Sequence, residues 1–378
     1  MRKLFLATII SSACVTPAYA QLAVSANDNK VVNENGKNVV VANAAPDTVS
    51  IIDLKSLKIV GEVQAPTSVV GPPLSVALTP DESYALVTSA QKKDPKDPAK
   101  TVPDNRVSVI DLKAKKVVQT VETGAGAAGL SINRAGTMAL VANRSEGTVS
   151  VLKLAGGTVT VGEKLKLGDE KSGPSHVQFT PDGKRALVTR DGDNGLTLLA
   201  IDGDKVSVSN RTFYAGLRPY GMDITPDGRY AVVANVGMGQ GDVDTASLID
   251  LQANPPRTID TVAVGPTPEG IKISPDGRYV AVVIHNGSTR PSDHPLYNAN
   301  GKLILLGLSN SKLNKLSEAS IGRWSQGAAF SPDSKLVLVQ NMVEKDIQVF
   351  RIVQGQVVDT KERIKLSGGG AAIRTVEK

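Results

Sequence analysis

The chain has 378 residues, is 41% hydrophobic but only 3% aromatic, and carries a formal charge of +6 with a single cysteine, Cys14. That length can bury a large core unaided, and one cysteine excludes an internal disulfide framework. The mild positive charge is interspersed with Asp and Glu, which argues against a nucleic-acid or anionic-membrane partner, and no apolar run reaches the length of a membrane span.

Residues 1–20 read as a secretory signal. Arg2 and Lys3 form the positive start, Leu4 to Ile10 open the apolar stretch, and Ala18-Tyr19-Ala20 is a small-x-small cleavage site. A lipidated Cys14 fits less well, because Ser11 stands where a branched apolar residue is usual. The expected mature chain starts at Gln21, forms a single domain over 21–378, and is periplasmic or extracellular.

The rest of the chain repeats. A Thr/Ser-Pro-Asp-Gly turn, in varied form, starts at Thr79, Asn133, Thr180, Thr225, Ser274 and Ser331, at spacings of 45 to 57 residues. In that turn Pro presets φ, Asp accepts from backbone N–H groups and Gly takes a positive φ. A strand such as "YALVTSA" (84–90), "MALVANR" (138–144) or "YAVVANV" (230–236) follows it, and then one such as "RVSVIDL" (106–112) or "TVSVLKL" (148–154). Short, evenly spaced, β-branched segments without a helical period mean an all-β chain, and four strands per repeat make a propeller blade.

A seventh, degenerate turn is expected at Asn33-Glu34-Asn35-Gly36, with 38–43 ("NVVVAN"), 48–54 ("TVSIIDL") and 58–64 ("KIVGEVQ") as the second to fourth strands of the first blade. Its inner strand has two candidates. One is "GGAAIRT" (369–375), which resembles "QGAAFSP" (326–332) and would close the ring with the C-terminal segment; the other is "LAVSANDN" (22–29). The first is favoured, and either leaves a seven-bladed β-propeller of four-stranded antiparallel blades.

The segments "VVVAN", "ALVAN" and "AVVAN", the "VSVIDL"-like strands after them and the "TPDG" turns before them resemble the YVTN-repeat family of bacterial extracytoplasmic propellers, over essentially the whole mature chain. The resemblance implies the fold. It leaves function open, since the broader superfamily also holds lactonase-like enzymes and amine-dehydrogenase propeller subunits. No catalytic signature of either group matches, and none is carried over.

The repeat assigns two faces. Tight turns joining strands one to two and three to four share one; on the other, 91–105, 237–245 and 286–301 are long connections between second and third strands. Long loops on a compact scaffold are where binding residues concentrate. The position four before each turn is Gly129, Gly221, Gly270 or Gly327, but His176 in one repeat and Ser75 in another. A histidine there reads either as a hydrogen-bonded packing residue or as a ligand or proton donor. Beside this ring stand Ser175, Tyr220, Glu269 and Gln326, with Arg218, Arg323 and the single Trp324 just before the inner strands. Tyr220, Glu269, Arg323, Trp324 and Gln326, with His176, form the candidate binding set at the channel mouth.

His285 and His294 flank the 286–301 loop and join that set. Their spacing does not suit zinc, and Asp191-Gly-Asp193-Asn-Gly195 reads more simply as a hairpin turn than as a calcium loop. There is no Cys-x-x-Cys-His, no Gly-x-Ser-x-Gly and no phosphate loop, so no cofactor is expected. The sequence therefore predicts a non-enzymatic binding or scaffold propeller that meets a protein or small-molecule partner on the long-loop face. The alternative is a lactonase-like hydrolase using His176, Glu269, His285 and Arg323, which requires His176 and Glu269 to share one water-filled pocket.

Overall fold

The computed structural model describes residues 21–377, so the signal peptide expected over 1–20 lies outside the described residues. Among those residues there is no helix; seven four-stranded antiparallel sheets form the blades of a β-propeller, accompanied by two two-stranded hairpins. The inner strands are Gly369–Thr375, Val76–Leu78, Ala127–Ile132, Pro174–Phe179, Pro219–Ile224, Pro268–Ile273 and Ser325–Phe330, for blades 1 to 7.

Burial falls off radially, and the sequence shows why. Inner strands such as Ala127–Ile132 are buried at every residue. Outer strands such as Lys116–Glu122 alternate exposed Lys, Val, Thr and Glu positions with half-buried ones, as a strand covered on one side should. Seven apolar clusters lie between neighbouring blades. Leu86, Val107 and Val109 of blade 2 pack on Leu130, Val141 and Leu152 of blade 3, and Leu338 and Val349 of blade 7 pack on Ala23, Ile52 and Ile373 of blade 1. The closing interface is built like the other six.

Two local motifs account for the repeat. In the turns, the Thr or Ser hydroxyl donates to the Asp carboxylate two residues on, at 2.6 Å for Thr180–Asp182 and Ser274–Asp276. The carboxylate in turn accepts from the N–H of Lys184 and of Arg278. Glu82 and Ser334 take the positive φ that glycine holds elsewhere, at 55° and 61°. At the end of the second strand, the buried Asn143 amide donates to Thr148 and Ser150 of the third strand at 2.8 and 2.9 Å. Asn235 makes the same stitch to Thr245 and Ser247.

That stitch corrects the first blade. Gly369–Thr375 is its inner strand, as favoured from the sequence, but the second strand is Leu22–Asp28, between Gly369–Thr375 and Thr48–Asp53. Asn27 donates to Thr48 and Ser50 at 3.1 and 2.9 Å, and Leu22–Asp28 takes the place expected for 38–43. All seven residues of Leu22–Asp28 are buried, whereas Lys37–Val40 is exposed or half-buried. The Asn33–Gly36 turn is therefore the tip of an inserted hairpin, Val31–Glu34 with Lys37–Val40, on the long-loop face. Its base is fixed by buried Lys30, whose Nζ lies 3.0 Å from Asp28 and 2.9 Å from Asp47.

At the axis, a Cβ on Gly221 would come 2.3 Å from the Glu269 carbonyl oxygen, and one on Gly270 2.2 Å from that of Gln326. Backbone cannot yield as a flexible side chain can. We expect Gly221→Ala to lower unfolding stability by about 2 kcal/mol or more, measured by urea denaturation. Gly183→Ala, where a Cβ meets open space and only the positive φ is strained, should cost about 1 kcal/mol.

Candidate functional site

The long-loop face is unevenly covered. The blade 1 hairpin reaches over blade 7, where Asn35 accepts from the Ser292 N–H of the blade 6 loop at 2.9 Å. From that loop Arg290 donates to the Gly239 carbonyl of blade 5, while Lys93 of blade 2 donates to Ala42 at 2.8 Å. The insertions thus brace one another into a canopy anchored on blades 5, 6, 1 and 2. Blades 3 and 4, whose second-to-third connections are tight turns, are left open.

In that opening lies a cleft of about 790 Å³, whose lining includes Arg144, Glu170, Lys171, Asp191, Arg218 and Met238. Its floor is Asp191, 2% exposed, which one inner-strand group and two guanidiniums engage. Arg144 holds both carboxylate oxygens, at 2.5 and 2.9 Å; Arg218 adds a contact at 2.9 Å and the Ser175 hydroxyl one at 2.7 Å. Burial opposes ionisation of Asp191, but these donors, Arg144 foremost, hold its pKa below the usual 3.8. Arg144 also lies over the Tyr220 ring, 5.3 Å from its centroid. Burial pushes the Tyr220 hydroxyl well above its ordinary value and keeps it protonated.

The charged arc continues under the canopy. Glu269 acts electrostatically on both Arg144 and Tyr220, and its carboxylate lies 3.4 Å from His285 Nε2. Gln326, fully buried, places its amide nitrogen 3.5 Å from the same His285 nitrogen, and its carbonyl oxygen has no hydrogen-bond partner among the described residues. His285 and Trp324 share a second recess, of about 390 Å³, with Asn33 and Asn38 of the hairpin above.

The structure thus brings together Tyr220, Glu269, His285 and Gln326, with Trp324 at their edge, and separates the other three. Trp324 is packed, with Val31, Val69, Met342 and Ala371 around it. Arg323 forms a surface ion pair with Glu344 at 2.9 Å. His294 stays in its loop, 3.2 Å from Arg290 and accepting from the Leu296 N–H. His176 is fully buried inside the channel, its Nε2 3.1 Å from Gln178 and 3.4 Å from Arg374. A Cβ on Gly129 would sit 2.6 Å from its Nδ1, so the neighbouring glycine makes room for the ring. Burial, helped by Arg374, drives the His176 pKa well below 6.5 and keeps it neutral. His176 and Glu269 share neither a hydrogen bond nor a cavity, so the four-residue hydrolase set is not assembled.

The sequence reading missed Arg144, and took Asp191 for a turn residue alone. It is in a hairpin turn, but its carboxylate faces inward. Among the described residues no group of three or more His, Cys, Asp or Glu side chains is placed to hold a metal ion.

No family model and no curated protein matches the chain. Solved structures do. A periplasmic gluconolactonase from Pseudomonas aeruginosa is 18% identical, with a TM-score of 0.68 over 94% of this chain and 99% of that one. A candidate 6-phosphogluconolactonase from Bacteroides uniformis is 17% identical, with a TM-score of 0.70 over 94% and 100%. A functionally unknown protein from Desulfotomaculum acetoxidans is 16% identical, with a TM-score of 0.68 over 94% and 99%. At these identities the likeness shows the fold alone, a seven-bladed propeller.

The depressed Asp191 pKa sets a pH dependence. A carboxylate bound more tightly as the anion in the folded state contributes stability that is full above its unfolded pKa, near 3.8, and lost as pH falls through the lower folded value. Replacing it leaves two guanidiniums facing each other. Asp191→Asn should cost about 3 kcal/mol at neutral pH and lose less than wild type on acidification below about pH 4, as read from urea midpoints across pH.

Proposed function

We propose that this protein is an exported binding propeller of the YVTN-repeat type that holds a small anionic ligand on its long-loop face, between Arg144 and Arg218. The observation that carries this reading is the two-to-one ratio at the cleft floor. One buried carboxylate, Asp191, orients two guanidiniums but neutralises only one unit of charge. Arg144 is 27% and Arg218 38% exposed at the side chain, so both guanidiniums border the open cleft, with Lys171 and Glu170 beside them. Oriented, partly exposed guanidiniums suit carboxylate or phosphate. The canopy limits access from the other side.

A second reading, a lactonase-like hydrolase, is favoured by the Glu269–His285 pair at 3.4 Å and by the gluconolactonase of like fold. In that reading the pair exchanges protons with substrate while the Arg cleft holds its anionic end. The two readings separate on one set of proteins. Calorimetric titration with gluconate and with inorganic phosphate should show binding to wild type and at least about tenfold weaker binding to Arg218→Ala, with Glu269→Gln, which removes a negative charge acting on Arg144, binding no more weakly than wild type. Equal affinity in Arg218→Ala sinks the binding proposal. Gluconolactone hydrolysis by wild type that is abolished in Glu269→Gln establishes the enzyme instead. Export is checked by N-terminal sequencing of the secreted protein, which should begin at Gln21.

A further inference from the structure

The opposite end of the channel, on the face of the tight turns, holds a second charged site. Lys272 of blade 6 is 7% exposed and Arg374 of the closing strand 2%. Lys272 Nζ lies 3.0 Å from Asp223 and 3.1 Å from Glu377, which extends past the closing strand into the channel. The Gln178 amide donates to the other Glu377 oxygen, and Arg374 Nη1 is 3.6 Å from the first. Burial works against the Glu377 charge, but Lys272 and Arg374 pull its pKa down to about 2.

Glu377 supplies the second carboxylate that Lys272 and Arg374 face. Lys272 and Arg374 face two carboxylates, Asp223 and Glu377, while neighbouring His176 is neutral. Asp223 is committed, since its carboxylate also accepts from the Ile273 N–H at 2.8 Å. Without Glu377, Lys272 and Arg374, themselves 7% and 2% exposed, would lose a carboxylate partner, which is costly for buried cations. Against this site lies a cavity of about 110 Å³, walled by Phe179, Ile224, Ile273 and Phe330. It has room for about four water-sized groups, or a short alkyl chain. Glu377 is a third exposed at its side chain, so solvent reaches it.

We propose that this end of the channel is a carboxylate-binding site, occupied in cis by Glu377, which accepts an external short-chain carboxylate when the Glu377 side chain is displaced. The cations and Gln178 bind the carboxylate through charge-assisted hydrogen bonds, and the apolar cavity takes its chain. The site shares no residue with the Arg144–Arg218 cleft and stands or falls separately.

The test is chemical replacement of the missing carboxylate in Glu377→Ala. Its melting temperature should lie below that of wild type and rise with sodium butanoate, because a ligand of the folded state stabilises it. Sodium chloride at equal ionic strength and 1-butanol should not reproduce the rise. Calorimetry should show butanoate binding at least about tenfold tighter than to wild type, and the added change Lys272→Met should abolish it. If Glu377→Ala does not fold, Glu377→Gln, which keeps the side-chain shape and loses the charge, takes its place in the same titrations. Equal response to butanol and butanoate, or no gain over wild type, overturns the proposal.

Discussion

The structure depends on how closely seven inner strands can approach one axis. At Gly221 and Gly270 the next strand's carbonyl oxygen occupies the space where a Cβ would be. That contact sets the radius of the channel, and the radius sets the angle at which neighbouring blades meet. The seven interblade clusters then fill the wedges between sheets, so that loss of close approach at the axis would open apolar contacts further out. Closure follows from the same constraint. The segment Gly369–Thr375 supplies an inner strand that Leu22–Asp28 needs, and buried Gln340 of blade 7 ties them by donating to Ser25 at 2.7 Å and to the Ala372 carbonyl at 3.0 Å.

A ring this regular leaves function to its departures. His176 in place of the ring glycine interrupts the channel lining and brings a neutral imidazole beside Gln178 and Arg374. The insertions on blades 1, 2, 5 and 6 make one face asymmetric, covering the Glu269–His285 side and leaving the Asp191 side open. Charge follows the same asymmetry. The guanidiniums face solvent across the open cleft, whereas Glu269 and His285 are held where water has less access and electrostatic interactions are stronger. The two channel ends therefore differ in chemistry: an open, cationic cleft on one face and a self-filled carboxylate site on the other.

The fold was legible because local signals and global architecture agree at nearly every repeat. The exception is instructive. Asn43 stands five residues before Thr48, as Asn143 does before Thr148, and spacing alone selects 38–43 as the second strand. The chain instead uses Asn27 and extrudes the intervening residues as a hairpin, because Leu22–Asp28 can be buried on both faces and Lys37–Val40 cannot. Loop closure costs little at that length, so burial decided the register. Of the candidate site, Tyr220, Glu269 and Gln326 could be found because they occupy equivalent positions at the inner strands, which the ring must bring together, and His285 because it opens the long 286–301 connection. Arg144 gave no such signal, since an arginine after a strand in a tight turn is common on any surface.

The sequence by itself determined the blade number, the two faces and the strand order of six blades, and it favoured the 369–375 segment for closure, whereas the second strand of the first blade was settled only by burial. These follow from short-range chemistry repeated along the chain, namely turn residues and strand alternation. Tertiary structure alone decided which charges meet. Arg144 and Asp191 are 47 residues apart and in different blades, and Gln178 and Glu377 are 199 apart. Their pairing depends on blade rotation, on strand register and on how far the closing segment runs into the channel, and no local pattern encodes those distances.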